Sequence, residues 1–260
     1  MLWELGTLGT QSLDVQEGRA ALLAYFEDRP GLEGEIARAM APLGAAVAPA
    51  EVPDVDWVAR MREGFRPFTV GSFRVVAAWD AASSSPSLPG RLLVVEPGRA
   101  FGTGSHESTR LCLSALEERA AGGALGAVLD VGTGSGILAV AAWRLGAQRV
   151  VAVDVDAEAL SVAVRHARLN EAPVHLVRGD GARCARGNAF ETVVANLTAP
   201  MLVERAAELA AAVGPGGVLI LSGLLAEDVP ALQAAYAGGA EVIAARREGA
   251  WAALVVRRRR

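Results

Sequence analysis

The sequence predicts an α/β protein in which a small α+β unit precedes a doubly wound, mostly parallel seven-stranded sheet ending in an antiparallel hairpin. Three observations predict it. From about Arg91 onward, short and almost wholly apolar runs alternate with longer runs at helical spacing. Strands buried on both faces are what a parallel sheet between helix layers requires. A glycine-rich turn, Asp130–Gly136 (DVGTGSG), joins one such strand directly to one such helix. The last two strand candidates are separated by only a tight turn, and only antiparallel strands can be joined so briefly.

Taken in order, Arg19–Phe26 is a strand candidate, and Gly31–Pro42 places Leu32, Ile36, Ala39 and Met40 at helical spacing. Ala45–Val52 is expected to be a further short strand. Asp56–Phe65 reads as an amphipathic helix, with Trp57, Met61 and Phe65 four apart. Arg74–Ala78 is expected as a strand, and Ala81–Gly90 (AASSSPSLPG) as a Ser/Pro loop. The main domain then offers strands at Leu92–Val95, Val128–Val131, Val150–Val153, Val174–Val177, Thr192–Ala195 and Val218–Leu221. Helices are expected at His106–Arg119, Ile137–Leu145, Ala157–Leu169, Pro200–Val213 and Glu227–Tyr236. Glu241–Ala245 and Trp251–Val256 close the chain around an Arg-Glu-Gly turn, followed by the Arg257–Arg260 run, expected as a frayed tail. The expected organisation is a small unit over 1–53, a linker helix, strand and loop over 54–90, and the α/β domain over 91–260.

Composition removes several chemistries. All 25 cationic side chains are arginine, so phosphate-loop, kinase-strand and Schiff-base lysines are excluded. A net charge of -4 does not describe a surface built throughout to hold polyanions, and no direct nucleic-acid binding is expected. No apolar run approaches the roughly 18 residues of a membrane helix. The opening Met1–Leu13 carries Glu4 and no basic flank, unlike a signal peptide. Cys112 and Cys184, far apart, read as reduced thiols of a cytoplasmic protein, and without further ligands at suitable spacing no metal site is expected. His166 is expected on a helix surface, His175 in a strand, and Trp79 and Trp143 in packing.

The glycine turn carries the chemistry. Gly132, Thr133, Gly134 and Gly136 follow a strand that ends in Asp130. Glycines there permit a tight turn and close ligand approach. The next strand ends in Asp154-Val155, where a carboxylate suits a ribose diol, and the third is followed by Asp180, placed to hold an adenine amino group. A nicotinamide dinucleotide is the competing ligand. Against it, the spacing is G-T-G-S-G rather than G-x-G-x-x-G, and Asp130 would sit badly beside a pyrophosphate. S-adenosylmethionine has no phosphate and carries two cationic centres, so acid, glycine loop, acid and later Gly-Asp point to a Rossmann-like class I methyltransferase.

Three stretches together resemble the ribosomal protein methyltransferases of the PrmA type. Glu96–Arg110 (EPGRAFGTGSHESTR) is similar to that family's signature, with Ser108 in place of its first paired threonine. The DVGTGSGILAVAA loop with the later VAVDVD, and Val193–Leu202 (VVANLTAPML), are the others. The resemblance implies an S-adenosylmethionine-dependent protein (lysine) N-methyltransferase acting on ε-amines and the N-terminal α-amine of large-subunit ribosomal protein 11, the alternatives being another protein lysine, a small amine, or a non-catalytic cofactor-binding module. It carries cofactor contacts to Thr109, Gly132, Asp154 and Asn196, and lays the Phe101-Gly102-Thr103-Gly104 loop over the cofactor. An aromatic face such as Phe101 beside a sulfonium is favourable by about 0.5–2 kcal/mol. Asn196 is expected to accept a hydrogen bond from the target nitrogen and aim its lone pair. The prolines that follow this residue in adenine- and glutamine-modifying relatives are replaced by Leu197-Thr198-Ala199, which favours an aliphatic amine. The resemblance also implies an N-terminal ferredoxin-like recognition domain, of which Leu2–Leu8 is expected to be the end of the first helix, so that either the start is misassigned or the domain is reduced. Nothing in the sequence demands more than a monomer. His106 is expected to start a helix and hold the Phe101–Gly104 loop rather than take a proton.

Overall fold

The computed structural model describes residues 2, 5–16, 19–50, 65–81, 91–97, 105–183 and 187–260. The chain divides into two compact units, Met1–Val55 and Asp56–Arg260. The expected helix over Asp56–Phe65, all but its last residue, and the Ser/Pro loop beyond Ala81 lie outside the described residues.

In the first unit, β1 (Gly9–Gln16) and β2 (Arg19–Tyr25) form an antiparallel hairpin in which Gly9 faces Tyr25. The sequence reading missed β1. A single turn precedes it, where the Leu5 N–H donates to the Leu2 carbonyl, and the Thr7 hydroxyl donates to the Gly9 and Tyr25 carbonyls to close the hairpin's open end. Helix α1 (Leu32–Met40) follows, with Glu33 and Glu35 in its first turn and Arg38 in its last, each on the favourable side of the helix dipole. The strand expected at Ala45–Val52 does not form over Ala45–Ala50. Pro49 lacks the N–H that a ladder needs.

The second unit holds two sheets. The smaller runs β3 (Phe68–Val70), β4 (Phe73–Ala77), β5 (Arg91–Val95). Thus β5 pairs in parallel with β4, upstream of it, rather than with the strands that follow. The larger sheet comprises β6 (Ala127–Val131), β7 (Arg149–Asp154), β8 (Val174–Arg178), β9 (Phe190–Asn196), β10 (Val213–Leu225), β11 (Ala240–Glu248) and β12 (Trp251–Arg258). Its order is β11-β12-β10-β9-β6-β7-β8, parallel from β10 to β8, with β12 antiparallel to β10 and β11 antiparallel to β12. The winding direction reverses between β6 and β9, which sets a topological switch point there.

Alternate strand residues feed two cores. Val128, Val194 and Ile220 pack on one side, with α2 (Glu107–Ala121) and α3 (Ile137–Arg144). Leu129, Val193, Leu219 and Leu221 pack on the other, with α5 (Ala199–Glu204), α6 (Ala206–Ala212) and α7 (Val229–Tyr236). Helix α4 (Ala157–Leu169) lies between β7 and β8 in sequence, as expected. Three local expectations need correction. The helix expected over Pro200–Val213 breaks at Arg205, whose backbone leaves the helical region at φ -92, ψ 9. The closing hairpin turns at Gly249-Ala250, with Glu248 still paired to Trp251. Nor is the arginine run frayed: β12 includes Arg257 and Arg258, and the Arg259 N–H donates to the Gly239 carbonyl. No helix among the described residues is long and apolar enough to cross a membrane.

Candidate active site

A cavity of about 550 Å³ opens at the carboxyl ends of the parallel strands, beside the switch point. Of the residues singled out in the sequence, Gly132, Gly134, Asp154, Val155 and Asp180 line it. Asp130, Thr133, Gly136, Thr109 and Asn196 do not line it but stand behind or beside its walls. Phe101, Gly102 and Thr103 lie outside the described residues.

The glycine turn is built from below. Gly132 and Thr133 both donate their N–H groups to the Val153 carbonyl, at 2.9 and 3.0 Å, which ties the turn across from β6 to β7. Gly132 sits at φ +69, where side chains are rarely tolerated, and a Cβ there would overlap the Leu197 side chain. Asp130, 1% exposed, accepts from the Thr133 hydroxyl at 2.6 Å and the Ala139 N–H at 3.1 Å, so one carboxylate oxygen locks the turn to the start of α3. Its other oxygen is buried without a hydrogen-bond partner among the described residues. Burial pushes this carboxyl up to about 7, against the pull of Thr133 and Ala139, with Asp154 adding a further upward push. Gly136 caps α3, packed against Ala163 of α4.

Asp154 ends β7 and accepts the Gly134 N–H at 2.8 Å and the Asp156 N–H at 3.0 Å. A carboxylate has about four acceptor positions, so two remain for hydroxyl donors. Asp180 is held by Arg205 at 2.6 Å. Arg205 thus uses the break between α5 and α6 to reach the cavity wall, and Glu208 supports the neighbouring turn by accepting the Ala182 N–H.

Asn196, the last residue of β9, donates its amide to the Thr109 hydroxyl at 3.3 Å, while its carbonyl oxygen is buried with no partner among the described residues. Thr109 is itself buried in the first turn of α2. His106 caps that helix, its Nδ1 accepting from the Ser108 N–H, and its ring meets Trp251 edge-on at 4.5 Å. The loop His106 was expected to hold lies outside the described residues.

Several site residues escaped the sequence reading. His166 is 1% exposed, not a surface residue. Its Nδ1 sits 2.8 Å from the Ser135 carbonyl and its Nε2 accepts the Glu96 N–H at 2.8 Å, which fixes a neutral ring with the proton on Nδ1. Burial holds its pKa below the usual histidine value, against the opposing influence of Ser135 and Glu96. One turn later, Asn170 accepts the Val94 N–H at 2.8 Å and donates to the Val94 carbonyl at 2.7 Å, standing in for a neighbouring strand along β5. Together they fasten α4 to the segment that carries Glu96 and Pro97, both in the cavity wall, and to the glycine turn. The available signal was the spacing of Ala163, His166, Ala167 and Asn170, which share one helical face. Gly223 was also missed. It forms a bulge in β10, at φ +86, and a Cβ would collide with the Leu197 carbonyl and lie 2.9 Å from the Asn196 side-chain oxygen.

Five carboxylates line the cavity, Glu96, Asp154, Asp156, Glu158 and Asp180, against two arginines, Arg165 and Arg205. Such a lining repels a pyrophosphate and suits a cationic ligand. With a doubly wound sheet and a glycine turn behind a buried acid, it defines the class as a Rossmann-like class I methyltransferase. Comparison with known proteins narrows the class. The family described as "Ribosomal protein L11 methyltransferase (PrmA)" matches residues 9–259. A ribosomal protein L11 methyltransferase of Geobacter sulfurreducens is 39% identical, over 96% of this chain and 84% of its own length. One from Geobacter metallireducens is 40% identical, over 93% and 77%. The crystal structure of a ribosomal protein L11 methylase from Lactobacillus delbrueckii subsp. bulgaricus superposes with a TM-score of 0.67 at 28% identity, over 75% of this chain and all of that one. The chain belongs to the ribosomal protein L11 methyltransferase (PrmA) family and is an S-adenosylmethionine-dependent protein lysine N-methyltransferase.

Proposed function

We propose that this protein transfers methyl groups from S-adenosylmethionine to lysine ε-amines and the N-terminal α-amine of ribosomal protein L11, with the cofactor in the cavity at the strand ends and the first unit recognising the acceptor. The names of the relatives support the acceptor. The resemblance noted in the sequence supports a recognition role and a ferredoxin-like plan for residues 1–53, with 54–90 as a linker and 91–260 as the transferase domain.

The lining fits the cofactor. Its volume lies within the usual range for small-molecule sites, roughly 300–1,000 Å³. Its acidic excess complements an α-ammonium and a sulfonium, and Val131, Val155, Leu197 and Met201 offer apolar surface. In this reading Asp154 takes the ribose hydroxyls, Val155 the adenine face, and Asp180, steadied by Arg205, the adenine amino group. Gly132 and Gly134 let the methionine portion approach the backbone, over a turn set by Asp130, Thr133 and Gly136. Phe101, Gly102 and Thr103 would cover the site.

The bound cofactor supplies an electrophilic methyl on a sulfonium. The chain's task is to present a neutral amine in line with it. A free lysine has a pKa near 10.4, so the site must favour loss of its proton, and withdrawal of the amine from water does so. The single observation that carries the reading is Asn196. Thr109 holds its amide nitrogen, leaving a buried carbonyl oxygen open to accept an amine N–H and orient the nitrogen lone pair. With the amine so oriented by Asn196, the N–C bond would form as the C–S bond of the bound cofactor breaks, and the amine's proton would leave to solvent. Most of the acceleration then comes from orientation and desolvation.

The test is incubation of the full-length protein with methyl-labelled cofactor and purified L11, followed by peptide mapping. Label is expected on lysine side chains and the N-terminal amine. Protein that binds the cofactor yet leaves L11 unlabelled would overturn the reading.

A further inference from the structure

A second cavity, of about 630 Å³, lies at the end of the large sheet opposite the cofactor cavity, where β10 begins its pairing with β12 and Val218 faces Arg257. Six arginines line it, Arg119 from α2, Arg246 from β11 and Arg257–Arg260, against two glutamates, Glu118 and Glu241. The whole chain is net negative at -4, so this excess is a local feature. Arg246 pairs with Glu118, and Arg258 donates to the Val213 carbonyl and Asn188, which fixes two of the guanidiniums in the wall. Two guanidinium nitrogens, Arg119 Nε and Arg246 Nη1, are buried with no acceptor among the described residues. Buried N–H donors left without an acceptor carry a desolvation penalty that an anionic acceptor relieves. Arg257 and Arg259 are exposed beside them.

Apart from the charged residues, the lining is Ala115, Gly122, Gly216 and Ala244 with Val218, Val255 and Ile243. Among the described residues no aromatic ring lines the cavity to stack a base, and with Val218 and Val255 buried only Ile243 offers an exposed large apolar side chain, against six arginines. What remains is a row of planar, bidentate donors suited to repeated phosphates.

We propose that this cleft binds the phosphate backbone of a nucleic acid without reading its bases. The choice of RNA over DNA rests on the proposed acceptor, a ribosomal protein; the rest of the argument does not.

The experiment is fluorescence anisotropy with a short, mixed-sequence labelled RNA and the full-length protein. Binding is expected to weaken roughly tenfold or more from about 50 to about 200 mM salt, as phosphate contacts release counterions. The Arg257→Glu/Arg259→Glu pair should weaken it at least about tenfold and flatten the salt slope by about two, while Arg247→Glu, outside the cleft, should not. If the charge reversal impairs folding, judged by cofactor binding, Arg257→Gln/Arg259→Gln replaces it and should lower affinity in the same direction. Absence of binding at low salt, equal loss in Arg247→Glu, or displacement by polyglutamate but not by unlabelled RNA would each overturn the proposal. Methylation of free L11 should be unchanged in the cleft variants. An unaltered protein that transfers methyl groups but binds no RNA at low salt sinks only this proposal, whereas one that binds RNA without methyl transfer sinks only the proposed function.

Discussion

A carboxylate that accepts two hydrogen bonds is ordinarily a stronger acid, yet Asp130 moves the other way because complete burial outweighs both bonds. A raised carboxyl pKa means that the fold favours the neutral form. The contribution is therefore present at low pH and is lost as pH rises from the ordinary value, near 4, through about 7. Asp130→Asn keeps an acceptor for Thr133 and Ala139 but removes the titration. Its melting temperature should gain on the wild type as pH is raised from about 5 to about 8, with the gap widening by about 1.4 kcal/mol per pH unit inside that window at most. Thermal melts across that range check it; parallel curves would show that Asp130 does not titrate there. Asn196 has the opposite character, a neutral group whose side-chain oxygen lacks a partner among the described residues and which is proposed above to orient the acceptor amine. Asn196→Ala should lower kcat roughly a hundredfold or more while cofactor Kd changes by less than about threefold. Steady-state transfer assays beside calorimetric titration of the cofactor separate the two effects.

At the scale of elements, the site depends on how strand ends are joined. Helix α4 uses His166 and Asn170, one turn apart, to fasten β5 and the glycine turn to a single rigid support. His166 accepts the Glu96 N–H only while neutral. Its lowered pKa places that stability above the ordinary histidine value, and it is lost as pH falls below it. The β10 bulge does similar work on the other side, since Gly223 lets Leu197 and Asn196 approach the backbone. Gly223→Ala meets a backbone carbonyl that cannot turn aside, whereas Gly132→Ala meets the far end of the Leu197 side chain. Both pay for positive φ, about 1–2 kcal/mol. Gly223→Ala should nevertheless be the more destabilising by about 1 kcal/mol or more in urea denaturation. Equal midpoints would show that the Leu197 carbonyl yields.

At the scale of the whole molecule, the larger unit separates its charges between the two ends of one sheet. Carboxylates surround the cavity at the parallel strands' carboxyl ends, and arginines line the cleft at the other. The two units also invite a division of labour. A chain of residues 56–260 should retain cofactor affinity within about threefold while kcat/KM for L11 falls at least about a hundredfold. Calorimetry and transfer assays on the same preparation test this, and unchanged kcat/KM would remove the recognition role from the first unit. The sequence foretold the alternation of the larger unit because its central strands are buried on both faces, so Val128, Leu129, Val193 and Val194 are apolar without a break. It concealed β3, whose three residues carry no period, and the break at Arg205, which an apolar helical spacing runs straight through.

The residues by themselves determined the class of protein, because a glycine turn between acidic strand ends is a local pattern with a local physical cause. Tertiary structure alone decided how those residues are employed. Asp130 supports the turn rather than lining the cavity, Asp180 is paired with Arg205, and His166 is buried between two backbone groups far from it in sequence. A side chain's burial and partners come from segments tens of residues away, and no spacing within one segment encodes them.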